Sequence, residues 1–174
     1  MDEKRQQLVQ ECKRQSESCL YTSTALFIWL RVLRVLKVVF IILPLIFGSL
    51  AGGKLLIGIN SEGAKLFSAF CAFVAAILPS IYAALKYDDR LKECSLLAAE
   101  FKNLQDRFRQ ASLVASQKPF SEFESHFNEL MNRLEQARKP SVTTPEWCFR
   151  QAQSKVKGGD YHFDADIAKN LPQQ

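Results

Sequence analysis

The chain has 174 residues, 48% of them apolar, and a formal net charge of +5, with a sequence pI of about 9.0. A basic balance suits anionic lipid and nucleic acid equally, so the placement of the charges has to decide between them. The five cysteines (Cys12, Cys19, Cys71, Cys94, Cys148) include no CxxC pair, which argues against a disulfide framework or a zinc site and fits a reducing cytosol. With only His126 and His162, a histidine-rich metal centre is not expected.

Hydropathy divides the chain into three. Residues 1–19 are strongly polar, 38–85 are almost uncharged, and 86–174 are again rich in charge. The opening stretch is hydrophilic for too long to read as a secretory signal.

Leu8, Cys12, Cys19, Leu26, Trp29/Leu30 and Leu33 form a helical stripe interrupted at Gln15 and Thr22. It predicts a cytoplasmic N-terminal helix over 1–37 that runs into the first apolar segment, antiparallel to 86–115. Residues 38–53 carry no charge, and Lys54 can snorkel to an interface, so a membrane span is expected over about 38–57. A start near Ala25 would place Arg31 and Arg34 at membrane depth, at about 2.5–3.5 kcal/mol each, so the start near Val38 is preferred. "GINSEGAK", with Gly58, Asn60 and Gly63 as helix breakers, predicts a short turn. Residues 66–85 then run without a charge, and at about 1.5 Å per residue they reach about 30 Å, the thickness of a bilayer's hydrocarbon.

The expected fold is an all-α membrane protein, a two-helix transmembrane hairpin over 38–85 extended by cytoplasmic helices over 86–174. Arg31, Arg34, Lys37, Lys86, Arg90, Lys92 and Lys102 flank its outer ends, against Lys54, Lys65 and Glu62 near the turn. The positive-inside rule therefore puts both termini in the cytoplasm. Arg31, Arg34 and Lys37 form a slanted row, and with Lys86 they read as an interfacial anchor for anionic headgroups at about 1 kcal/mol per charge. A sharper reading pairs Arg34 with Asp89 and Arg31 with Glu93. Nucleic acid is not an expected partner, because the row abuts the apolar segment and no binding motif accompanies it.

Small residues recur at four-residue spacing: Gly48 and Gly52, Ser49 and Gly53, Ser68 and Ala72, Ala72 and Ala76. This spacing lets helices approach closely in lipid, within the hairpin or between copies. "ILPLIFGSL" (42–50) and "ILPSIYAAL" (77–85) echo each other. Their prolines, Pro44 and Pro79, each lie about six residues from a cytoplasmic end and read as a hinge plane at one depth; no longer repeat surrounds them.

Leu91, Cys94, Leu97/Ala98, Phe101, Leu104, Phe108 and Ala111 mark a helix with one buried seam, and "SQKP" ends it. Phe120, Phe123, Phe127, Leu130, Leu134 and Ala137 mark another, which starts either with Ser121 and Glu124 at capping-box spacing or with Pro119 at the first helical position. Thr144 reads as an N-cap with Pro145 at the first helical position, and Gly158-Gly159 stops that helix. Asp160, Asp164 and Asp166 read as a solvated tail and not as an EF-hand loop. No hydrolase, phosphate-loop or metalloprotease motif occurs, so neither an enzyme nor a cofactor is expected.

The layout resembles the SLATT family of bacterial two-transmembrane effectors. The resemblance is carried by "LKYDDRLKECSLLAAEFKNLQDRF", with Tyr87, Arg90, Ala98, Phe101 and Leu104 in the family's aromatic, basic and small-aromatic pattern, and by "PEWCFRQAQSKVKGGDYHFDAD". It implies an oligomeric pore-forming effector of the bacterial inner membrane, acting in anti-phage abortive infection and triggered by a nucleotide-signalling or sensor partner. The alternative from the residues is a membrane-tethered scaffold whose helices hold a cytosolic partner.

Overall fold

The computed structural model describes residues 2–57, 62–139 and 142–159, apart from the side chains of 2 and 54–57. The side chain of Lys54, the turn residues Gly58 and Asn60, and Asp160, His162, Asp164 and Asp166 therefore lie outside the described residues. Every regular element among the described residues is helical: α1 (Asp2–Ile57), α2 (Glu62–Ala84), α3 (Tyr87–Leu113), a 3₁₀ turn (Ala115–Gln117), α4 (Phe120–Arg138) and α5 (Glu146–Lys157). Gly63, expected in the turn, lies instead in the first turn of α2, where Glu62 complements the positive end of the helix.

The chain forms two compact units, one of residues up to Trp29 and from Cys94 onward, the other Leu30–Glu93. α1 and α3 each contribute to both.

In the first unit, α1 and α3 run antiparallel. Arg5 donates to the Ser116 carbonyl (2.9 Å), Ser16 to that of Gln105 (3.0 Å), and the Cys94 thiol to that of Leu26 (3.8 Å). On α3 the buried residues repeat by heptads, Cys94, Phe101 and Phe108 beside Leu97, Leu104 and Ala111. On α1 the answering repeat is Cys12, Cys19 and Leu26. Gln15 does not interrupt this stripe: it is buried within it and donates to Glu11 at 2.7 Å. Ser23 replaces Thr22 as the buried residue one turn on, satisfying its hydroxyl on the Leu20 carbonyl at 3.0 Å. Small polar side chains that bond their own helix can occupy a seam in place of apolar ones.

α4 runs antiparallel to α3, with Phe127 edge-on to Phe108 and Arg133 paired to Glu100 at 2.7 Å, and buries Phe123, Leu130, Leu134 and Ala137. α5 buries Cys148 and Ala152 against Ala25, and Trp147 and Phe149 flank them against Trp29 and Tyr21.

Two helix starts differ from expectation: α4 begins two residues before a Ser121 cap would start it, and α5 one residue after a Thr144 cap would. Pro119 and Pro145 keep extended ψ values of 142° and 146°, so each is the N-cap of α4 or α5, and neither helix has a side-chain cap. Ser121 therefore sits inside the first turn of α4, and Thr144 precedes the cap of α5. Gly159, at φ 88°, ends α5 in the left-handed region that glycine tolerates.

Phe108 is fully buried, whereas Leu96 on the same helix is 64% exposed. Phe108→Ala should destabilise this unit by about 3–5 kcal/mol and Leu96→Ala by no more than about 0.5 kcal/mol, measured by denaturant unfolding of the purified protein.

Candidate functional site

The unit Leu30–Glu93 carries the apolar segments. α1 and α2 are each long and apolar enough to cross a membrane, and only 6% of the most apolar window of each is buried. The transition within α1 is sharp. Leu26, Leu30 and Leu33 are buried within the chain, but from Val35 onward large side chains stand outward, among them Val38 (52%) and Leu45 (68%). α2 presents Leu66 (76%), Phe70 (59%) and Phe73 (63%) in the same way.

The two helices meet through small residues. Ala51 and Cys71 are buried, and Ser68 donates to the Ala51 carbonyl at 3.1 Å. Of the small residues singled out in the sequence, only Ser68 is used in this contact. Gly48 and Gly52 are exposed, and a Cβ on either would meet nothing within 4 Å. Ala72 and Ala76 are also exposed. Pro44 lies half-buried inside α1 and Pro79 exposed inside α2, with helix on both sides of each. Each removes one backbone donor, to the carbonyls of Phe40 and Ala75 respectively.

Near the α2–α3 junction the structure assembles a cluster that the sequence does not announce. Lys37 Nζ lies 2.7 Å from Asp88 Oδ1, and the Tyr82 hydroxyl donates to the same oxygen at 2.7 Å. The Tyr87 hydroxyl donates to the Leu33 carbonyl at 3.1 Å. The rings of Phe40, Tyr82 and Tyr87 lie 5.4–6.0 Å apart in a mutually tilted trio.

The basic row is thus joined to the start of α3, but at Lys37 and Asp88. Arg31 and Arg34 are exposed and make no ion pair with Glu93 or Asp89 among the described residues. Beside this cluster, Lys86 has a φ of 47°, which places it in the left-handed region. That conformation costs a residue with a side chain about 1–2 kcal/mol. It also shifts the phase of α3 relative to α2. Lys86 itself has an exposed side chain. Aromatic residues close to the ends of both apolar segments were the available signal for Phe40 and Tyr82, since tyrosine favours the boundary between apolar and wet surroundings.

A groove of about 600 Å³ is lined by Arg5, Gln6, Val9, Gln10, Lys13 and Ser116. Five of these six are exposed or half-exposed side chains along one face of α1, so it is a surface furrow. Among the described residues no three histidine, cysteine or acidic side chains are grouped to hold a metal. Burial pushes the Cys12 and Cys19 thiols up to about 11, far from the range of a reactive thiolate.

No family model matches the chain, and no curated protein or solved structure is significantly similar to it.

The hydrogen bond from Lys37, then that from Tyr82, holds the Asp88 carboxyl below its ordinary range, while Asp88 raises Lys37. A lowered folded-state carboxylate contributes stability above the unfolded value and loses it as pH falls; a raised lysine contributes below its ordinary value and loses it as pH rises. Asp88→Ala should therefore lower the Tm in micelles by a few degrees at most between about pH 5 and 9. The difference from the parent should shrink below about pH 4 and above about pH 10.5.

Proposed function

We propose that the chain is a two-span membrane protein whose apolar hairpin assembles with further copies of itself into a conducting pore. The observation that carries this reading is the surface of α1 and α2: continuous apolar faces with almost no cover inside the chain, and Gly48, Gly52, Ala72 and Ala76 facing outward with room to spare. Lipid satisfies the apolar faces, and close helix contact between copies suits the small ones. Two spans cannot enclose a channel, so conduction requires several copies. No charge occurs in 38–53 or 66–85, so the wall would be weakly polar and suited to gating by dewetting. The flanking basic residues favour cytoplasmic termini by the positive-inside rule, and the resemblance to SLATT effectors favours a bacterial inner membrane.

The biological setting rests on the resemblance to SLATT effectors carried by the stretches after the second span and near the end of the chain. In that setting, a nucleotide signal or sensor partner triggers assembly, and the infected cell dies or becomes dormant. A specific observation supports a second reading, a tethered scaffold: Trp147 (46% exposed) and Phe149 (41%) stand half out of α5, a surface that a cytosolic protein could cover.

Purified protein in liposomes decides between them. A pore gives potassium flux that Gly48→Leu/Gly52→Leu abolishes while the protein still inserts, because the bulk blocks close approach. Absence of flux under every trigger, with partner capture intact, selects the scaffold. In the same assay Pro44→Ala/Pro79→Ala should insert normally and conduct differently; unchanged conductance removes the hinge role.

A further inference from the structure

The chain turns between α2 and α3 where the local sequence gives no cause. Residues 83–90, Ala-Ala-Leu-Lys-Tyr-Asp-Asp-Arg, contain neither glycine nor proline, and Ala, Leu, Lys and Arg are strong helix formers. Helical bonding reaches the turn from both sides. The Leu85 N–H donates to the Ile81 carbonyl and that of Lys86 to Ala83, while the Lys86 carbonyl accepts from Asp89 and Arg90. One residue, with φ of 47°, separates two helices that would otherwise be continuous.

The turn decides which face of α2 meets α1. On α2 the inward residues are Cys71, fully buried, with Ser68, Ala75, Leu78 and Tyr82 partly so. On α3 the inward phase starts at Tyr87 and Leu91. Carried back by heptads through an unbroken helix, that phase selects Leu66, Phe73 and Ser80 from Tyr87, and Phe70, Ile77 and Ala84 from Leu91. All six are now exposed. The two phases differ by two residues, about half a turn at about 100° per residue.

We propose that Lys86 is the pivot of a two-state joint. In the observed state α2 presents its small face to α1. In the other, Lys86 returns to right-handed φ, α2 joins α3 as one helix, and α2 rotates by about half a turn to present Phe70, Phe73 and Ile77. Identifiable attachments hold the observed face. Toward α1 and α3 they include the Ser68 bond to the Ala51 carbonyl, the Tyr82 bond to Asp88, and the Tyr82 ring against Phe40 and Tyr87. Tyr87 keeps its bond to Leu33 in both states, because α3 does not rotate. An α2 that is apolar on both faces loses little by exchanging them in lipid, and the joined state relieves the left-handed lysine. The rotation deepens the pore reading, since it moves Ser68 and Cys71 from the helix contact to the outer surface, where neighbouring copies would meet them.

Disulfide trapping in nanodiscs tests the joint, in a Cys71→Ala background that removes the native cysteine beside the contact and leaves the other four, all buried. Ala51→Cys with Ser68→Cys reports the observed face, and Ala51→Cys with Phe70→Cys reports the rotated one. Lys86→Gly and Lys86→Val remove the same charge but differ in tolerance of positive φ. The ratio of the 51–70 to the 51–68 crosslink should be about tenfold higher for Lys86→Val than for Lys86→Gly, as a difference of about 1.4 kcal/mol between the two turns requires. Tyr82→Ala, which leaves Lys86 in place, should raise the same ratio and stands as the deciding variant if Lys86→Val does not fold. Equal ratios in folded Lys86→Gly, Lys86→Val and Tyr82→Ala protein overturn the joint. The crosslinks are read without conductance, so a shifting ratio in non-conducting protein refutes the pore and leaves the joint standing.

Discussion

Apolar side chains must be covered, and over 38–53 and 66–84 this chain covers almost none of its own. The fully buried part of the contact between α1 and α2 is a narrow strip of small residues, Ala51 and Cys71 beside Ser68, while most of the leucine, isoleucine and phenylalanine side chains are exposed. A helix buried in the core of a soluble domain would reverse that arrangement, with large groups inward and small or polar ones outward. The cover has to come from outside the chain, and the proposals for lipid and for further copies both follow from this constraint.

The other unit solves the opposite problem by ordinary means. Its seam between α1 and α3 is a heptad pattern built from cysteine, leucine, phenylalanine and alanine, with Gln15, Ser23, Gln105 and Ser112 admitted at buried positions. The serines among them bond carbonyls of their own helix. The cysteines act here as small apolar residues, and burial keeps Cys12 and Cys19 far from thiolate chemistry.

Where α2 gives way to α3, local and tertiary preferences conflict. The sequence around Lys86 favours continuous helix, while Tyr82 reaches Phe40, Tyr87 and Asp88 only if the helix breaks. A lysine in the left-handed region is the mark of that conflict, and such conflicts are where conformational change is least costly.

Hydropathy and three-to-four spacing made the helices legible, together with their apolar segments and the seam of α3, because each depends on residues close in sequence. The prolines before α4 and α5 were legible too, but their role as caps depends on ψ, which spacing does not specify. The pairing of Lys37 with Asp88 was not legible. Matching levels across the hairpin pairs Arg34 with Asp89, whereas the pair that forms joins Lys37 to Asp88, because contact depends on how the two helices are packed as well as on level. Nor could periodicity tell which small residues touch. Ser68 is engaged, while Gly48, Gly52, Ala72 and Ala76 are left facing outward, because the relative rotation of two helices is a property of their contact and is encoded in neither one alone.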